Sequence, residues 1–162
     1  MKISVTIALM LSVCLLSACS SRAYSDELPC TDISSAITDS LDDGQEYASF
    51  PDSHIDRNFE RASFDGHAAI YSADAEDISE IGVFHAKDKN SADALVKQCR
   101  TYIEDMQENS RAFIASYAPE ELPKLDAAQV RRFGNYVVYT VLSEEQSSAA
   151  FESIKRALEI KK

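Results

Sequence analysis

The residues of this 162-residue chain that invite chemistry are a few cysteines, histidines set among carboxylates, and tyrosines. Cys19 follows two small residues, Ser17 and Ala18, at the end of an apolar run. A nucleophilic thiol in that position is what a thioether-linked lipid requires, and small neighbours are what a leader peptidase admits. Cys30 and Cys99 are then the remaining thiols of the processed chain; a bridge between them would pin two helices together and contribute roughly 2 to 4 kcal/mol, provided their α-carbons lie within about 7 Å. His67 and His85 would oppose each other if the hairpin between them centres near Glu76, and opposed histidines on one sheet face can hold Zn²⁺ or Cu²⁺. Two ligands do not complete a site, and no His-x-x-x-His or Glu-x-x-His motif supplies the rest, so no metal and no cofactor are expected. Asp52-x-His54-x-Asp56 reads as a solvated acidic loop. Asp39 to Gly44 fails as a calcium loop, because Leu41 occupies the third ligand position. Gly-x-Ser-x-Gly, Ser-x-x-Lys and phosphate-loop motifs are absent, so no catalytic residue is assigned and the chain is expected not to be an enzyme. Tyr71, Tyr102, Tyr136 and Tyr139 could line a groove for a peptide or glycan, against the more usual fate of tyrosine as half-buried packing.

The address is clearer than the chemistry. Lys2 supplies a single charge, Val5 to Leu16 an apolar stretch, and Leu16-Ser17-Ala18 the cleavage motif before Cys19. The stretch is short of the roughly 20 apolar residues that a membrane span needs. It reads as a lipobox leader: residues 1–18 are removed and Cys19, acylated, becomes the first residue. Two acyl chains make that attachment durable, at about 0.8 kcal/mol per buried CH₂. The expected location is the extracytoplasmic face of the cell membrane, with the lipid on Cys19 as the membrane contact. Removing Lys2 takes the net charge from −11 to −12. That excess of carboxylates argues against nucleic acid and against lying on an anionic bilayer.

The elements that must position these residues follow from periodicity. Residues 19–29 form a polar tether closed by Pro29, and residues 30–162 a single domain. Ile33, Ala36, Ile37 and Leu41 recur at helical spacing after a Thr31 or Asp32 cap, predicting a helix over 31–42. Residues 45–65 lack a clean period and read as loop with a helical turn near 55–61. Strands are predicted over 67–72 and 80–86. Asn90 or Ser91 then caps a long helix with Leu95, Cys99, Tyr102, Ile103 and Met106 on its apolar face, stopped by Pro119. Gly134-Asn135 joins strands 128–133 and 136–142, and Ser143 to Gln146 is a capping box for the closing helix. The order α-β-β-α-β-β-α implies an α+β domain: a mostly antiparallel four-stranded sheet with helices packed on one face.

Tyr71-Ser72-Ala73, Glu80 to Asp88, the long helix, Pro119 to Leu125 and Gly134 to Val137 together resemble a family of bacterial lipoproteins catalogued as domain of unknown function 4358. The resemblance covers most of the chain. It implies a lipobox leader, a short tether and this order of elements, and it carries no catalytic residue. The expected role is that of a membrane-anchored, non-enzymatic domain that binds an envelope protein, peptide or glycan. The alternative is an export-side enzyme, or an inhibitor or accessory subunit of one.

Overall fold

A computed structural model describes residues 24–41 and 43–159 of the chain. Leu16, Ser17 and Ala18, expected to form a cleavage motif, and Cys19, expected to carry a lipid, lie outside the described residues. In chain order the elements are α1 (Cys30–Leu41), β1 (Tyr47–Ser49), α2 (Asp52–Asn58), β2 (Phe64–Ser72), β3 (Glu80–Ala86), α3 (Lys89–Tyr117), α4 (Leu122–Asp126), β4 (Gln129–Phe133), β5 (Tyr136–Val141) and α5 (Glu144–Leu158).

Local signals set the ends of these elements. The Asp88 carboxylate accepts the Ser91 backbone N–H at 2.8 Å and caps α3, two to three residues before the expected cap. Pro119 cannot extend the helix, so α3 stops at Tyr117 and the chain continues through a short 3₁₀ turn into α4. The Ser143–Gln146 capping box forms in both directions at the start of α5. Gly134 takes φ of 63° in the β4–β5 turn, a conformation that costs residues with a Cβ.

The strands form one antiparallel sheet in the order β1-β2-β3-β5-β4. The α+β class holds, and two features differ from expectation. First, β1 adds a fifth strand at the β2 edge; at three residues it is too short to show a period of two in the sequence. Second, helices cover both faces of the sheet. One face carries Ile81, Val83, Tyr136 and Val138 against Ile33 and Ile37 of α1 and Phe151 and Ile154 of α5. The other carries Phe84, Ala86, Val137 and Tyr139 against Leu95, Cys99 and Ile103 of α3 and Ile55 of α2. Every residue of β5 is buried, as a central strand covered on both faces must be.

Residues 24–28, expected to belong to a polar tether over 19–29, dock on the domain. The Ser25 N–H donates to the Leu158 carbonyl at 2.7 Å, and Tyr24 packs edge-on against Phe133 at a ring separation of 5.7 Å. Asn135 donates to Asp26 at 2.9 Å, and the Tyr136 hydroxyl donates to the Leu28 carbonyl at 2.6 Å. Among the described residues no helix is long and apolar enough to cross a membrane.

Candidate functional site

The candidate site begins at Gly82. This residue pairs with Tyr139 across β3 and β5, and a Cβ on Gly82 would fall 2.0 Å from the Tyr139 ring. The missing side chain lets the Tyr139 ring lie flat over β3 and reach along the strand toward Glu80, two residues away on the same face. Tyr102 comes down from α3 onto the same carboxylate. Its hydroxyl donates to Glu80 Oε2 at 2.8 Å, and the Tyr139 hydroxyl reaches the same oxygen at 3.5 Å. The Tyr102 hydroxyl also lies 3.3 Å from His54 Nε2. Since its proton goes to Glu80, it accepts one from His54, which fixes the His54 proton on Nε2. Phe50 stacks on His54 at a ring separation of 4.0 Å and holds it in place.

Glu80 is half-buried at the floor of a cleft of about 450 Å³ whose walls include Ile78, Met106, Phe113 and Ile114, with Asp105 also in the lining. Loss of water around the carboxyl raises it from 4.5 to about 7, although both tyrosine hydroxyls pull the other way. The same burial, with Glu80 beside them, raises Tyr102 and Tyr139 above the ordinary tyrosine range. Burial and the Arg57 charge lower His54. The tyrosines are therefore donors and not bases at neutral pH, and the proton that moves in this site near neutrality is the one on Glu80.

A clamp fixes the cleft wall. The Ile78 N–H donates to Glu121 at 3.1 Å, and Lys124 Nζ bridges Glu121 at 2.8 Å and Asp77 at 2.7 Å. Asp77 also accepts from Gln45 at 2.6 Å and from the Ser79 N–H at 2.7 Å. Partial burial alone would raise Asp77, but the hydrogen bonds from Lys124, Ser79 and Gln45 hold it at about 2. Phe113, in the lining, is 63% exposed, and its ring centroid lies 4.5 Å from that of Tyr117, 75% exposed. Two exposed aromatic rings in contact on the last turns of a helix, beside a cleft, are a surface that a partner can cover.

The residues singled out in the sequence distribute differently. Cys30 and Cys99 are free, buried thiols in the two cores on opposite faces of the sheet, so the sheet itself separates them and the bridge is not formed. Burial pushes each up to about 12. His67 and His85 do not oppose each other either: His67 pairs with Phe84, and His85 with Gly66, one residue out of the register that a turn centred on Glu76 would set. His85 lies between Asp65 at 2.6 Å and Asp26 at 3.0 Å; burial would lower it, but the two carboxylates raise it overall. His67 lies on the other face near Phe64 and Phe84. Asp52 and Asp56 both pair with Arg61, while His54 turns inward. Among the described residues no group of three or more His, Cys, Asp or Glu side chains is placed to hold a metal ion. Of the four tyrosines, Tyr102 lines the cleft and Tyr139 lies beneath it, Tyr136 is buried in the opposite core, and Tyr71 packs beside Phe50 at the sheet edge.

A family model described as Domain of unknown function (DUF4358) matches residues 40–142. The chain belongs to the DUF4358 family. No curated protein and no solved structure matches it. The matched span of the DUF4358 domain runs through all strands and α3, and every residue lining the cleft falls inside it, while α5 and nearly all of α1 fall outside.

The sequence reading missed Glu80, Gly82, His54 and Phe113 as site residues. One signal for Glu80 and Gly82 was present. In Glu80-Ile81-Gly82-Val83-Phe84 the alternation puts Glu80 and Gly82 in phase with the buried Phe84, so the strand begins with a carboxylate on a core face and a gap beside it.

Proposed function

We propose that this DUF4358 protein is a lipid-anchored binding domain on the extracytoplasmic face of the cell membrane, taking its ligand or partner in the Glu80 cleft. The observation that carries the reading is the cleft itself, with Ile78, Met106 and Ile114 in its walls, the shielded Glu80 carboxylate at its floor, and the exposed Phe113 ring in its lining. Such a pocket offers orientation and apolar area. The tyrosines around Glu80 hold its charge in place without offering a base or nucleophile.

The tether supports the same reading. With residues 24–28 docked, Cys19 is five residue steps from Tyr24, a reach of at most roughly 17 Å. The docked segment meets the sheet where Asp26 holds His85, near the end of β3, and Glu80 begins that strand. The five residue steps between them span about 17 Å at roughly 3.4 Å each. A cleft at the opposite end of β3 from the docked segment suits a site that faces partners in the envelope. The enzyme alternative draws on Glu80, since a carboxyl held near neutrality is suited to general acid work.

A photo-crosslinking residue in place of Phe113, compared in intact cells with one in place of Ser148 on the exposed side of α5, tests the binding site. Adduct at 113 and none at 148 is expected; equal adducts, or none at 113, would refute it. Fatty-acid labelling that persists in Cys19→Ser would refute the anchor.

A further inference from the structure

The chemistry of the occupant can be named more closely, on the premise that the Glu80 cleft is the binding site. Glu80 Oε2 takes both tyrosine hydroxyls, and no described residue donates to Oε1. Gln45 Oε1 is the one fully buried side-chain oxygen or nitrogen without a partner among the described residues, so Glu80 Oε1, which has no described donor, is not fully buried, and Glu80 lines the cleft. Every proton in the chain His54, Tyr102, Glu80 points toward the carboxylate. That network supports a negative charge and supplies no countercharge, because no lysine or arginine is among the described residues lining the cleft. The second ionisable group in the lining is another carboxylate, Asp105, and the rest of the wall includes Met106, Ile114, Phe113 and Ile78. An anionic ligand would meet repulsion here, and a neutral apolar one would leave Oε1 unpaired.

We infer that the cleft binds an alkylammonium group, whose charge meets Glu80 Oε1 and whose apolar stem lies along Met106 and Ile114 under the Phe113 ring. The face of an aromatic ring and an apolar wall suit the stem of such a cation, as they suit the side chain of a lysine. A free amine and a lysine of a partner protein share this chemistry.

Binding is then linked to pH through Glu80. Tyr102 from α3, Tyr139 from β5, His54 from α2 by way of Tyr102, and Asp105 at the rim are the groups that face it; Lys124 nearby is already engaged by Asp77 and Glu121. Only ionised Glu80 attracts the cation, and an alkylamine stays protonated to about pH 10. With the carboxyl at about 7, affinity is expected to fall on the order of 100-fold from pH 8 to pH 5.

Met1 and Met10 belong to the leader, so Met106 provides the one methionine methyl signal of the domain. The detergent-solubilised mature protein, labelled with methyl-¹³C methionine and assigned with Met106→Leu, is titrated with n-butylammonium, n-butanol, butyrate and an acetylated, amidated pentapeptide with a central lysine among glycines. The Met106 methyl is expected to shift with the ammonium and the lysine peptide, at least tenfold more weakly with butanol, and not with butyrate. Glu80→Gln should weaken ammonium binding at pH 8 at least tenfold and abolish its pH dependence; the pH series on the unmodified protein carries the same test if that variant misfolds. Tighter binding of the peptide than of the free ammonium assigns the cation to a protein lysine, and equal binding assigns it to a small amine. Butanol binding as tightly as the ammonium overturns the inference and leaves the binding cleft standing. No Met106 shift with any probe also overturns it, and the crosslink at Phe113 then decides the binding reading by itself.

Discussion

Glu80→Gln isolates the charge at the cleft floor without changing its shape. The amide oxygen can accept the Tyr102 hydroxyl as the carboxylate does, and nothing ionises in its place. In the unfolded chain Glu80 titrates near 4.5, and in the folded domain near 7, because burial disfavours the ionised form. The folded state therefore binds this proton more tightly than the unfolded state. Below about pH 4.5 both states are protonated and the site costs nothing. Between 4.5 and 7 stability falls as pH rises, and above about 7 the full cost is present, about 3 kcal/mol. Against a total of roughly 5 to 15 kcal/mol this is a large sacrifice, of the kind that persists at sites kept for function. Urea titrations followed by far-ultraviolet circular dichroism at pH 4.5, 6, 7 and 8 would measure it. Glu80→Gln should match the unmodified protein at pH 4.5 and exceed it in stability by up to about 3 kcal/mol at pH 8. A variant less stable at pH 8, or a difference that does not change with pH, would refute the claim that a desolvated charge sits at the cleft floor.

Three further outcomes are expected. Gly82→Ala places a methyl group against the buried Tyr139 ring and should cost about 1 to 3 kcal/mol, with Tyr139→Leu relieving part of it in the double variant; purely additive effects in a double-mutant cycle would show that the two residues are not in contact. Leu95→Ala or Ile103→Ala, in the core beneath α3, should each cost about 2 to 5 kcal/mol, and Lys97→Ala or Glu104→Ala on its exposed face no more than about 0.5 kcal/mol; equal losses in urea titrations would show the helix to be buried all round. Cys30 and Cys99 should resist a thiol reagent in the native protein and react on unfolding in urea, whereas a native mass short of two hydrogens would reveal the bridge.

The sequence determined what is local. Helical spacing marked α1, α3 and α5, Gly134-Asn135 marked the β4–β5 hairpin, and the Ser143–Gln146 box marked the start of α5, because each depends on residues within a turn or two of one another. The run Tyr136-Val137-Val138-Tyr139 already held the evidence for a strand covered on both faces, yet an apolar run alone does not say which helix covers which side. Only the tertiary structure decided that α1 and α5 take one face and α2 and α3 the other, and with it the separation of Cys30 from Cys99. It also assembled the site. Glu80, Tyr102, Tyr139 and His54 come from four elements, and no spacing along the chain relates them. What joins them is the antiparallel register of β3 with β5, which lays Tyr139 over the gap at Gly82, together with the packing of α3 against that sheet face. Register and helix placement are set by burial summed over the whole domain, and that sum cannot be read in any single stretch of residues.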